Sequence, residues 1–323
     1  MKEDNMKEAP TDIKIMAAQE VIPAEVAKAW QGKNNKYVVA LAIFTLLAII
    51  LSVLFMNGQF DALLKILSKD HHIFYWMVMV GFLAEIVAGS MGMGYGVICT
   101  TVFLIMNIPP PVISASIHSA ESFTTAAGSI SHYKFGNVNK KLTKKLAIPA
   151  IIGAVIGALL LSYVGERYAR MIKPLIAAYT LYLGVRILRN AFAKKQANGK
   201  VKKKRTHITS LGFIGGFIDS FGGGGWGPLV TGTFIKNGRT PRYVIGSSTV
   251  AKFILTLASA ITFIFTVGIH HWNIVAGLLL GGIITAPFSA MLTAKLPVKK
   301  MFVVVGVVVI VMSLISICRS LFL

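Results

Sequence analysis

Five ionisable residues fall inside apolar segments: Glu85, His118, Glu121, Asp219 and Lys252. In lipid such groups cost about 2.5–3.5 kcal/mol on insertion scales, so they face the protein interior or water. Lys252 can offset the charge of an anion, and Glu121 can pair with it or carry a proton. A fixed structural ion pair is the plainer reading of the same two residues. His118 lies one turn before Glu121 and can titrate near neutral pH, although a satisfied core histidine has the same sequence appearance. Asp219 stands just before a glycine-rich break, where it either caps a broken helix or relays protons. Glu121, His118 and Asp219 are therefore the proton-coupling candidates, and Glu85 has no evident partner.

Two glycine-rich breaks interrupt the apolar pattern. Gly222-Gly-Gly-Gly-Trp-Gly-Pro228 is a strong helix breaker, because each glycine costs about 1 kcal/mol in a helix interior and proline suits the first turn of a new helix. A helix that starts inside the membrane offers free N–H groups and the positive end of its dipole, and glycine lets an anion approach them. Glycines also permit close helix packing, and both roles suit this segment. The first break, Gly92-Met-Gly-Tyr-Gly96, lacks the proline. No Lys-Ser/Thr follows either run, which argues against a nucleotide loop.

Ser114, His118, Glu121, Ser122, Thr125 and Ser129 share one helical face, and so do Ser248, Lys252, Thr256 and Ser259. Such stripes line a water-filled path or serve as interhelical hydrogen-bond partners. The candidate substrate-binding set is thus Gly92, Gly94, Gly96, His118, Glu121, Ser122, Gly223, Gly224, Gly225, Trp226, Ser247, Ser248 and Lys252. No catalytic residues, cofactor or metal site is expected. His71-His72 and His270-His271 fall near one predicted face but make a weak metal case. Cys99 and Cys318 form no framework.

The elements that hold these residues are transmembrane helices. The chain has 323 residues, 55% hydrophobic and only 14% charged, where soluble domains carry roughly 25% charged, and its mean hydropathy is +0.70. Apolar runs of bilayer-spanning length recur, and strict barrel alternation is absent. The net charge of +21 reads as topology rather than nucleic-acid binding, because the bases cluster between apolar segments, nine in Arg186–Arg205 and five in Lys134–Lys145. Some attraction to anionic headgroups follows.

A 131-residue shift places Gly81 on Gly212, and Gly92, Gly94 and Gly96 on Gly223, Gly225 and Gly227. It also places Tyr95 on Trp226, Pro110 on Pro241, Ser116 on Ser247 and Glu121 on Lys252. Two repeats follow, 73–192 and 206–323, joined by a basic cytoplasmic linker, 193–205. A cytoplasmic polar tail, 1–36, and an extra helix with an outer loop, 37–72, precede them. The apolar region begins too late for a cleaved signal peptide, and residues 11–30 suit either an interfacial helix or a disordered tail.

Within the repeats the expected segments are 73–88, 95–108, 112–133, 146–164 and 171–190, then 208–221, 226–235, 243–267, 273–294 and 301–320. The positive-inside rule puts the N-terminus in the cytoplasm and the C-terminus outside; the weak point is loop 165–173, which is outside yet basic. Each half then crosses an odd number of times, so the halves have opposite orientation. The fold class is an all-α polytopic membrane protein of two inverted-topology repeats with Gly-broken re-entrant helices plus one extra N-terminal transmembrane helix. This is a secondary-transporter architecture.

The duplicated breaks, Gly212, Gly216, Gly222–Gly225 and Pro228, and the Gly246-Ser-Ser-Thr-Val-Ala that opens the Lys252 helix resemble the TauE/SafE family across residues 73–323. That resemblance implies transport of sulfur-containing anions: sulfite, thiosulfate or organosulfonates. The expected function is a transporter of such an anion in the cell inner membrane, secondary and proton-coupled by alternating access. The alternatives are a passive anion channel and a non-transporting scaffold docked through the basic loops. An intramembrane enzyme lacks a nucleophile–base pair. Expected partners are the sulfur oxyanion and the lipid bilayer, with no nucleic acid; a homo-oligomer stays open.

Overall fold

The computed structural model describes residues 71–91, 93–192, 206–268, 272–293 and 298–322. The chain divides into two units, Met1–Lys65 and Ile66–Leu323, and the described residues fall in the second. The polar tail, the extra helix, the basic linker, Gly92 and His270-His271 lie outside the described residues.

Among the described residues ten helices and one π-helical turn follow in order: α1 His71–Met91, α2 Tyr95–Ile105, α3 Pro110–Lys134, α4 Lys140–Val164 and α5 Ala169–Phe192 make the first set. Helix α6 Ile208–Gly222, a π-turn Gly227–Thr231 continuing into α7 Gly232–Lys236, α8 Pro241–Thr266, α9 Trp272–Thr293 and α10 Val298–Phe322 make the second. The bounds match the expected segments closely, with one difference. Helix α4 starts at Lys140, because Asn139 accepts a hydrogen bond from the Leu142 N–H at 3.0 Å and caps a first turn that opens on Lys140 and Lys141.

Among the described residues, five helices are long and apolar enough to cross a membrane: His72–Gly89, Lys140–Val164, Ala169–Phe192, Arg242–Thr266 and Phe302–Ser320. Their outer faces expose apolar side chains such as Trp76, Ile152, Leu175, Phe265 and Val304, the surface a protein presents to lipid. This is a multi-pass membrane protein. Helix α3 is not among the five. Its 25 residues reach about 37 Å, yet it carries the polar stripe and is enclosed by α2, α4, α8 and α9.

The packing is reciprocal. Helix α1 packs along α9 and α6 along α4, while α3 pairs with α8 and α5 with α10. The first two contacts exchange under the 131-residue shift, and the last two map onto themselves. Both self-mapped pairs run antiparallel. Arg242, at the start of α8, bonds Asn137, beyond the end of α3, whereas His118 near the start of α3 stacks on Phe263 near the end of α8. Likewise Gly184 of α5 meets Val309 and Ile310 of α10, and Gly306 meets Leu188. Glycines make the α1·α9 and α6·α4 seams tight. A Cβ on Gly81 would stand 2.5 Å from the Leu278 carbonyl oxygen, and one on Gly212 would stand 2.7 Å from that of Leu146. Without a hydrophobic drive between helices in lipid, such close backbone approach supplies the packing.

The connecting loops gather at two ends. At one end Asn237 bonds Thr206 at 2.8 Å, so the hairpin α6–α7 begins and finishes there. This end carries Lys140, Lys141, Lys144, Lys145, Lys236, Arg239 and Arg242. At the other end Lys173 donates to the Asn107 carbonyl at 3.1 Å and Arg319 to the Ile105 carbonyl at 2.5 Å. Arg319 thus satisfies the last carbonyl of α2 and complements its dipole, and Lys173 holds the turn that follows. That local role accounts for Lys173 within the basic loop 165–173.

Candidate functional site

The two glycine breaks meet at the centre. A Cβ on Gly96 would stand 2.5 Å from the Gly223 carbonyl oxygen and 2.7 Å from the Gly224 Cα. Gly94 and Gly225, equivalent under the 131-residue shift, both have positive φ, 111° and 147°, which L side chains rarely adopt. Backbone touches backbone here, so these glycines serve close packing.

A broken helix exposes its last carbonyls and the first N–H groups of the next segment. Side chains from other helices satisfy the carbonyls. Ser114 donates to the Ser220 carbonyl at 2.5 Å, Thr100 to Gly223 at 2.9 Å and Tyr179 to Gly224 at 3.0 Å. The His118 Nε2 lies 3.2 Å from the Asp219 carbonyl oxygen. A carbonyl only accepts, so Nε2 carries the hydrogen and Nδ1 holds the lone pair in the neutral ring. On the N–H side, Trp226 N–H donates to the Asp219 carboxylate at 2.7 Å. The donor that helix logic offers to a substrate anion in the second break is thus directed at the chain's own carboxylate. The first break carries no such carboxylate, because Ala88 stands where the shift places Asp219.

Lys252 of α8 pairs with the Glu121 Oε1 of α3. Thr125 and Thr256 sit 3.4 Å apart, one turn along. Each partner lies 131 residues from the other. Glu121 and His118 are 2% and 0% exposed and Asp219 0%, whereas the Lys252 side chain keeps 16% of its surface accessible. A ring nitrogen of His118 and a carboxylate oxygen from each of Glu121 and Asp219 lie within 4.8 Å of one another. Three buried atoms of this group have no hydrogen-bond partner: His118 Nδ1, Glu121 Oε2 and Asp219 Oδ2. Glu85 of α1 is buried beside Thr124 and within electrostatic reach of Glu121 and Lys252.

The remaining candidates divide. Ser248 accepts from Trp226 Nε1 at 2.9 Å and meets Thr231 at 2.6 Å, which seats the indole against α8. Ser122 bonds its own helix at the Ser119 carbonyl. Ser247 accepts from the Asn139 N–H at 2.8 Å, so it anchors the start of α4 at the basic end, away from the ion pair. Ser114, Ser129 and Ser259 bond across helices, to the Ser220 carbonyl, the Thr249 carbonyl and the Ser220 hydroxyl. Most of the polar stripe therefore holds helices together. No sequence pattern marks Tyr179, Thr100 or Ser220, whereas Tyr95, which the 131-residue shift places on Trp226, hides a fully buried hydroxyl without a partner.

A cavity of about 330 Å³ opens between α3, α4 and α8 at the end opposite the basic loops. Ser116, Ser119, Ser162, Glu166 and Phe263 are among its lining residues. Phe263 touches both sides, because its ring also stacks on His118 with centroids 6.3 Å apart.

A sequence model of the sulfite exporter TauE/SafE family matches residues 77–315. The chain belongs to the TauE/SafE family. Among its relatives is the Probable membrane transporter protein YtnM of Bacillus subtilis, 40% identical over 240 residues, which cover 72% of this chain and 79% of that protein. The Probable membrane transporter protein YdhB of the same organism is 25% identical over 226 residues, 68% of this chain and 91% of that protein. Sulfite exporter TauE/SafE family protein 3 of Arabidopsis thaliana is 28% identical over 103 residues, 32% of this chain and 20% of that protein. No solved structure matches. The TauE/SafE match spans both glycine breaks and the Glu121–Lys252 pair.

Proposed function

We propose that this TauE/SafE protein is a secondary transporter of small sulfur-containing anions, sulfite, thiosulfate or an organosulfonate, working by alternating access around the central ion pair. The observation that carries the reading is Lys252, a partly accessible cation paired with its counterpart under the 131-residue shift and within electrostatic reach of Asp219 at the second break. Were the halves related by a two-fold axis through this pair, a site there would be reached equally from either side as the halves rock against each other. The antiparallel α3·α8 and α5·α10 pairs support halves of opposite orientation, and the meeting of Asn237 with Thr206 supports a re-entrant α6–α7 hairpin. Lys252 and the first glycine break, which has no carboxylate of its own, hold the anion; Glu121, His118 and Asp219 handle the proton. The cavity ending at Phe263 is the outer approach. The family's printed description, sulfite exporter, supports the choice of sulfur oxyanions.

The test is flux into proteoliposomes holding the purified protein, with sulfite, thiosulfate, sulfoacetate, sulfate and chloride compared, with and without an imposed pH gradient at fixed membrane potential. Saturable flux selective for a sulfur oxyanion, accelerated by the gradient, is expected. Gradient-independent flux indicates a passive channel, and no flux of any anion indicates a scaffold.

The protein sits in the cell inner membrane with the basic end in the cytoplasm. Cysteines introduced at Glu166 and Lys236, both exposed, are expected to label from opposite faces of intact cells. Cys318 is replaced by serine in that background, and Cys99 is buried. Labelling of both from one face contradicts the topology.

A further inference from the structure

The buried group around Glu121 is short of a donor. Glu121 Oε2, Asp219 Oδ2 and His118 Nδ1 are the three unpartnered atoms. The first two are carboxylate oxygens, and the third holds a lone pair, since Nε2 faces the Asp219 carbonyl. Buried acceptors that meet no donor are costly; the Lys252 ammonium already bonds Glu121 Oε1, and the Tyr95 hydroxyl in the same group reaches none of the three. One added proton would turn one of them into a donor and satisfy two at once. The charges point the same way: Glu121 and Asp219, with Glu85 beside them, set more carboxyls than cations around the single positive charge of Lys252. A metal ion in this triad would instead stand next to the Lys252 ammonium, which already holds Glu121.

Lys252 is at the same time the cation that a substrate anion needs, and the Glu121 carboxylate occupies it. A carboxylate and a sulfonate or sulfite present oxygens of similar charge to an ammonium. From this geometry we infer that the substrate anion takes the place of the Glu121 carboxylate on Lys252, and that the released carboxyl takes up one proton shared with Asp219 and His118.

This rests on the reading of the protein as an anion transporter. In the exchange the Lys252–Glu121 ion pair breaks, an ammonium–anion contact forms, and a proton from water adds to Glu121. No other bond changes. One proton and one anion then bind together, so a monovalent anion is carried without net charge, and proton and anion move in the same direction. The groups facing Glu121 are Lys252 on α8, Asp219 on α6, His118 on α3, Glu85 on α1, and Tyr95 and Cys99 on α2. Before exchange Lys252 is the one cation among them.

The experiment is proton uptake on anion binding by the purified full-length protein in weakly buffered detergent, read by a pH-indicator dye. The probe is sulfoacetate, together with methanesulfonate, whose charge is constant across the neutral range. About one proton per anion bound is expected, with affinity falling about tenfold per pH unit where the cluster is deprotonated. In Glu121→Gln the uptake is lost and the pH slope flattens. Anion binding by wild type with no proton uptake overturns the exchange and leaves anion transport standing. Unchanged uptake in Glu121→Gln overturns it too. Absence of binding by wild type, for these probes and for sulfite and thiosulfate, overturns both the transport reading and the exchange. The wild-type stoichiometry needs no variant to fold.

Discussion

Lys252→Met is expected to abolish anion flux and to lower the melting temperature of the detergent-solubilised protein. The reason is electrostatic. Glu121, Asp219 and Glu85 are buried around Lys252, and removing the cation leaves carboxylates with no counterion. Breaking a buried pair from one side costs about 3–5 kcal/mol, a large fraction of the stability of most domains. The double variant Glu121→Gln/Lys252→Met removes both charges of the pair and is expected to regain much of that loss. Its flux should stay at background, because the anion's cation is still missing. Recovery of stability without recovery of flux separates a functional charge from a structural one. If the double variant transports at the wild-type rate, Lys252 does not hold the substrate, and the ion pair is a packing feature.

Gly224→Ala should be nearly as damaging through a wholly different cause. A methyl group at this position would lie 2.6 Å from the Gly96 carbonyl carbon and 2.7 Å from the Val97 nitrogen. Both are backbone atoms and cannot turn aside. The two breaks must separate, and overpacking of this kind costs about 1–3 kcal/mol or more. Flux is expected to fall at least tenfold, with a lower melting temperature. Gly232→Ala is the matched control, because the nearest atom to its added methyl is 3.7 Å away and its φ is −61°. Its flux and melting temperature should stay within experimental error of wild type. Equal behaviour of the two variants would show that the breaks do not depend on close approach.

The helices and the family are legible in the residues alone. Lipid offers no hydrogen-bond partners, so a long apolar run can only be a helix, and that inference needs no knowledge of neighbours. Repetition is likewise legible, since Gly81, Gly94 and Pro110 recur as Gly212, Gly225 and Pro241. The Glu121–Lys252 contact joins two positions that the 131-residue shift superposes. Which carbonyl each hydroxyl meets is legible only in the packed helices. Ser114 and Ser247 look alike in sequence, yet one seals the broken helix at Ser220 and the other anchors the start of α4 at Asn139. Tyr179, unremarkable in its own helix, reaches the Gly224 carbonyl. The Trp226 N–H, which local rules assign to a ligand anion, is taken by Asp219 seven residues earlier. A local pattern says that a polar group must find a partner in lipid. Which partner it finds depends on the helices packed against it, and their approach is set by glycines and side-chain volumes far away in the chain.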